Sequence, residues 1–100
     1  MAKVKHIVLV KFKTGTPEEQ VQKLFDEILD TTESIPGIED YVAGPNISPE
    51  GMSLGCSHGF IITFTDVAAR DQYLAHADQK RVRDLLSADA ETQIVFDFEI

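Results

Sequence analysis

Three histidines, a tyrosine and a cysteine are the side chains here whose chemistry could serve a site. His6 stands near the start of "VKHIVLVKF", and His58 opens "HGFIITF". Tyr73 and His76 lie three residues apart in "YLAHADQ". Imidazole titrates near neutrality, so His6, His58 and His76 are the natural proton donors and acceptors. At that spacing Tyr73 and His76 are expected to share a helix face. A tyrosine hydroxyl aimed into a pocket is an ordinary ligand contact. It is equally at home as a core residue with its hydroxyl bonded. The plainer reading of His6 and His58 is a bond to each other, to a backbone carbonyl or to buried water. Three imidazoles could hold zinc, but no close pair of histidines occurs and no metal site is expected. Cys56 precedes His58 by two residues. A nucleophilic thiolate needs a positioning partner and none is apparent, so Cys56 reads as structural.

The elements that must position these groups follow from spacing. Residues 4 to 12 alternate, with Val4, His6, Val8, Val10 and Phe12 on one face and Lys5, Ile7, Leu9 and Lys11 on the other. Apolar residues on both faces predict a strand covered on both sides. In "TGTPEEQVQKLFDEILD", Thr16 is the expected N-cap, Pro17 the first helical residue and Glu19 the capping-box partner. Val21, Leu24, Phe25, Ile28 and Leu29 make one apolar stripe. Pro36 and Gly37 stop the helix, and a second strand begins in "SIPGIEDYVAG". Residues 44 to 57 are rich in Gly and Pro and read as a long loop, a mobile rim if a pocket lies beside it. In the third strand His58, Phe60, Ile62 and Phe64 share a face. A helical stretch capped by Asp66 is expected to bend around residues 75 to 78. There Asp78 would cap a second piece carrying Val82, Leu85 and Leu86. "DQKRVR" reads as a solvated face, and "TQIVFDFEI" is the fourth strand.

The order β-α-β-β-α-β with right-handed crossovers predicts an α+β, ferredoxin-like antiparallel sheet with the helices on one face. The first and third strands are expected side by side and running parallel, which would make His6 and His58 neighbours at one end of the sheet. A pocket between sheet and helices would then have Val8, Val10, Phe12, Phe60, Ile62 and the stripe of the first helix as walls. His6, His58, Tyr73 and His76 would be its polar contacts. The other sheet face, with Ile7, Leu9, Ile61 and alternate residues of the last strand, would be left apolar and open. Such a face predicts self-association, two sheets packing into a closed homodimer.

The totals limit the partners. One hundred residues make one domain, 1–100, with a modest core. Hydrophobic residues at 43% and charged ones at 26% fit an ordinary globule. Nine basic residues against 17 acidic ones give a net charge of −8. That excludes a nucleic-acid partner, which needs a basic stripe, and an anionic membrane surface. One cysteine cannot staple a fold, so a reducing compartment is expected. With neither a leader-like h-region nor a membrane-length apolar run, a cytoplasmic location is expected.

"VKHIVLVKFK", "SHGFIITF", "YLAHADQ" and "IVFDFEI", in that order and spacing, resemble the stress-responsive A/B barrel (Dabb) family across essentially the whole chain. The resemblance implies a dimeric α+β barrel of two ferredoxin-like sheets packed back to back, with no cofactor. Most members have no established activity. One is a cofactor-free polyketide cyclase, an aldol catalyst whose pocket lies between sheet and helices. His6 and His58 match pocket histidines of that cyclase. Tyr73 and His76 match the first two residues of its tyrosine–histidine–proline–histidine pattern. Ala77 stands at the proline and Gln79 at the last histidine, which in the cyclase acts with the tyrosine in acid–base chemistry. A glutamine can orient a substrate but cannot take up a proton near neutral pH. Asp78, beside it, is a substitute base or a helix cap. Three readings follow. The chain binds a small hydrophobic molecule, with Gln79 among the pocket residues. It is a cofactor-free lyase or related oxygenase using His6, Tyr73 and His76. Or it is a structural dimer whose pocket its own side chains fill.

Overall fold

In the computed structural model, which describes residues 2–100, the first alternating segment is strand β1 (Val4–Phe12). Helix α1 (Glu18–Ser34) follows, then strands β2 (Ile38–Pro45) and β3 (His58–Phe64). Helices α2 (Val67–Ala75) and α3 (Ala77–Asp89) divide the second helical stretch, and β4 (Ala90–Glu99) completes the sheet. The fold is α+β and ferredoxin-like. Its sheet order is β2-β3-β1-β4, and each neighbouring pair is antiparallel.

That pairing corrects the expectation that β1 and β3 run parallel. The crossover through α1 brings β2 back in the direction of β1. The hairpin between β2 and β3 then reverses the chain, so β3 must oppose β1. His6 consequently faces Ile62 across the ladder, while His58 faces Val10. Four residues of strand, about 13 Å at ~3.3 Å per residue, separate the two histidines along the sheet.

All three helices lie on one sheet face, and the core sits between. Val4, Val8 and Val10 of β1 and Phe60, Ile62 and Phe64 of β3 meet Leu24 and Ile28 of α1, Ala69 and Tyr73 of α2, and Val82 and Leu86 of α3. Ile62 and Val10 lose all contact with water, each contributing about 1.5–3 kcal/mol. The apolar stripe of α1 is narrower than its spacing suggested, because Leu29 is 39% exposed. Leu85 of α3 is exposed in the same way.

The helix ends depart from expectation at two points. Thr16 does not cap α1: its hydroxyl donates to the Lys13 carbonyl at 2.7 Å, and Pro17 holds the cap position without a side-chain bond. A hydroxyl committed to the preceding turn cannot serve the helix. Asp66 does cap α2, accepting from the Ala69 amide at 2.8 Å. At the break, however, the cap of α3 is His76 rather than Asp78. The His76 ring nitrogen Nδ1 accepts from the Asp78 amide at 3.1 Å, and its backbone is extended. Gly37 joins α1 to β2 at φ +89°. A Cβ there would lie 2.6 Å from Cβ of Ala69, so glycine serves both the left-handed turn and the close approach of α2.

The opposite sheet face is bare. Leu9, Val42, Phe96 and Phe98 are exposed on it, so β1 is not covered on both sides within one chain. Residues 46–57 form the long β2–β3 connection and expose Ile47, Met52 and Leu54. Among the described residues, no helix is long and apolar enough to cross a membrane.

Candidate functional site

Beneath α2 and α3 lies a cavity of about 180 Å³. His6 and Val8 of β1, with Phe60 of β3, line it from the sheet. Tyr73 of α2 and Gln79, Val82 and Arg83 of α3 line it from the helices, and Gln93 and Val95 of β4 lie at its edge.

Strand parity puts His6 on the helix side, and its neighbour on β4 is Asp97. Nδ1 of His6 lies 2.7 Å from one carboxylate oxygen of Asp97. The other oxygen accepts from the Arg70 guanidinium at 2.8 Å. A carboxylate only accepts, so Nδ1 carries the hydrogen, and Nε2 is the acceptor of the neutral ring. The Phe64 and Tyr73 rings stand edge-on to the imidazole, with centroids 6.1 Å away. His6 is thereby buried, oriented and held in one tautomer.

Tyr73 is equally buried. Burial pushes its phenol up to about 12, against the opposing pull of the Gln79 amide and the Arg83 guanidinium. The hydroxyl therefore stays protonated at neutral pH. Gln79 is only 7% exposed, and its side-chain oxygen has no hydrogen-bond partner among the described residues. An unmet buried amide oxygen costs about 1–3 kcal/mol, and such groups mark places where a water or ligand supplies the bond. The Tyr41 hydroxyl is a second buried group without a partner among the described residues. Its phenol is raised by burial and by the neighbouring Tyr73 and Asp26.

Of the residues expected in a pocket, His6, Val8, Phe60, Tyr73 and Gln79, with Ile28 of the α1 stripe, border this cavity, and the others do not. Val10 and Ile62 are solid core. Phe12 and His58 lie at the far end of the sheet, packed with Phe25 at 5.5–6.4 Å between ring centroids. There His58 bonds Ser57 at 2.8 Å and stands 3.9 Å from the Glu18 carboxylate. His76 is spent on capping α3, since the break at that residue turns it off the face that carries Tyr73. Asp78 is exposed, with its carboxylate 3.9 Å from His76. Among the described residues no three histidine, cysteine or acidic side chains converge as a metal site would require.

Asp97, Arg70, Arg83 and Gln93 were not marked by spacing. Asp97 had a signal available: an acid set between Phe96 and Phe98, on the parity of Val95. A broader cleft of about 400 Å³ opens on the bare sheet face beside Ile7, Leu9, Val42 and Ile61, with Cys56 and His58 at its margin. It is mostly apolar and lies away from His6 and Tyr73.

A family model described as the stress responsive A/B barrel domain matches residues 4–100. Olivetolic acid cyclase from Cannabis sativa is 25% identical over 95 residues, covering 95% of this chain and 94% of that protein. The stress-response A/B barrel domain-containing protein HS1 from Arabidopsis thaliana is 25% identical over 96 residues, 96% of this chain and 88% of that one. A dimeric ferredoxin-like protein of unknown function from Jannaschia sp. CCS1 superposes with a TM-score of 0.88 at 25% identity, covering 98% of this chain and 99% of its own.

Proposed function

Since the chain belongs to the stress responsive A/B barrel domain (Dabb) family, we propose that it acts as a homodimer and binds one small, largely apolar molecule per chain beneath α2 and α3. The observation that carries this reading is the buried Gln79 oxygen left unbonded at a cavity. A core packed only for stability would fill that space and satisfy that atom. The volume bounds the ligand. An apolar cavity of about 150 Å³ holds one benzene ring, so about 180 Å³ suits a single ring with small substituents rather than a long chain. Self-association through the bare face is supported by exposed Phe96 and Phe98 and by the dimeric relative.

A second reading is cofactor-free proton-transfer catalysis. It is favoured by the 2.7 Å bond that His6 donates to Asp97 and that orients the ring, with the Tyr73 ring 6.1 Å away, centroid to centroid. A base, its orienting carboxylate and a protonated acid are the parts such a reaction needs. Gln79 occupies the position that the resemblance gives to the cyclase's histidine, so any base here would be His6. His6→Gln would then slow turnover of a β-diketone analogue by about a hundredfold, and an unchanged rate would reject catalysis.

Binding is tested by titrating phenol into the isotope-labelled protein. Saturable shifts are expected at the amides of His6, Tyr73, Gln79 and Val82. Val82→Phe, which fills the cavity, should abolish them. No saturable shift, or shifts confined to Ile7, Leu9 and Ile61 on the bare face, would overturn the reading.

A further inference from the structure

We infer that residues 46–57, the long β2–β3 connection, form an arm that packs on the partner subunit, with Ile47, Met52 and Leu54 seated in the cleft on the partner's bare sheet face. This rests on the homodimer reading above and goes beyond it, because it assigns the contact to the loop as well as to the sheet. Those three side chains are 77–90% exposed, more than any other large apolar residue described. Leu54 also holds φ at +55°, a left-handed backbone that penalises any side chain but glycine. A strained residue that presents an aliphatic side chain to water gains nothing within its own chain. The arm is nonetheless braced. Cys56 is buried at its root, the Ser57 amide donates to the Val10 carbonyl at 2.9 Å, and the Asn46 side chain accepts from the Ser48 amide at 2.9 Å. A loop already held in shape loses little freedom on docking.

The sheet by itself is too small for the task. Seven paired residues of β1 and β3 and four strands span a plane of about 450 Å², at ~3.4 Å per residue and ~4.8 Å between strands. A stable interface takes about 800 Å² from each partner. The arm stands where the missing area must come from. Its residues Asn46, Ser53 and Cys56 wall the cleft of about 400 Å³ whose other sides are Ile7, Leu9, Val42 and Ile61, so loop and sheet make one continuous surface. Gly44 and Gly59, paired across β2 and β3, leave the hollow open. A Cβ at Gly44 would meet nothing within 4 Å. In a twofold dimer, whatever one copy inserts the other receives, and the arm is the protruding apolar element beside the hollow. Phe96 and Phe98 on β4 already pack on each other, at 6.2 Å between centroids. The net charge of −8 directs such a surface to protein rather than to an anionic membrane.

Sedimentation equilibrium on the full chain measures the dimer dissociation constant. Leu54→Gly is the sharpest variant, because it relaxes the backbone while removing the side chain. The thermal midpoint of the diluted, monomeric protein should not fall. The dimer should dissociate at least tenfold more readily, for one buried aliphatic side chain per copy. Met52→Ser should weaken it likewise. Gly44→Val, a substitution that suits a strand and grows into the hollow, should weaken it by excluding the arm. Leu85→Ser, which removes an exposed aliphatic side chain from α3, should leave it unchanged. If Leu54→Gly and Met52→Ser dimerise as the parent does, or if Gly44→Val does, the assignment fails while the homodimer stands. A loss of equal size in Leu85→Ser would also overturn it. If the parent is a monomer at about 0.1 mM, arm and homodimer fall together.

Discussion

Replacing Asp97 with asparagine perturbs the site while keeping its shape. Each carboxylate oxygen of Asp97 takes one charge-assisted bond, from His6 at 2.7 Å and from Arg70 at 2.8 Å. Asparagine offers one acceptor and one donor in the same space. Arg70 can only donate, so the amide oxygen must turn to it. The amide nitrogen then faces His6 and forces the imidazole hydrogen from Nδ1 to Nε2. Charge-assisted bonds contribute about 1.5–3 kcal/mol and neutral ones about 0.5–1.5. The pair is one-fifth to one-quarter exposed, which discounts the upper end. Downgrading both bonds should therefore cost about 2 kcal/mol, a fall in Tm of about 8–16 °C for a chain of this size. Urea unfolding followed by circular dichroism, at matched protomer concentration, measures the loss. Long-range nitrogen–proton correlation spectra report the tautomer. A loss below about 0.5 kcal/mol, or a parent ring protonated only on Nε2, would refute the argument, because surface-like bonds are worth that little.

Two further outcomes are expected. Tyr41 and Tyr73 are the only tyrosines and tryptophan is absent, so tyrosinate absorbance reads these two groups alone. Burial raises both phenols, Tyr73 to about 12, so the folded protein should show almost no tyrosinate at the ordinary midpoint of ~10. The unfolded chain sheds these protons first. Stability should therefore hold below about pH 10 and drain away toward about pH 12, by up to about 3 kcal/mol for Tyr73. A folded-state midpoint near 10 contradicts this. On the bare face, Phe96→Glu should turn the proposed dimer into a folded monomer in sedimentation equilibrium, by burying like charges at a self-paired surface. An unchanged mass would exclude this face as the contact.

How much of this was legible beforehand divides by distance along the chain. The bounds of β1, the α1 stripe, the Asp66 cap and a break near residue 76 all follow from signals a few residues long. The choice of His76 over Asp78 as the cap did not, because adjacent polar residues compete and backbone direction decides. His6, Tyr73 and Gln79 fall around one cavity as parity and the resemblance suggested. Val10 and Ile62 share the parity of His6, yet are sealed in the core.

By itself the sequence determined the α+β order, the two apolar sheet faces and the side chains able to carry protons, since those depend on spacing and residue type. Only the tertiary structure decided that His6 meets Asp97 across 91 residues of chain, that His58 is stranded at the other end of an antiparallel pair, and that the Gln79 oxygen is buried without a partner. Those facts depend on strand direction and on where helices come to rest, and no local period encodes either.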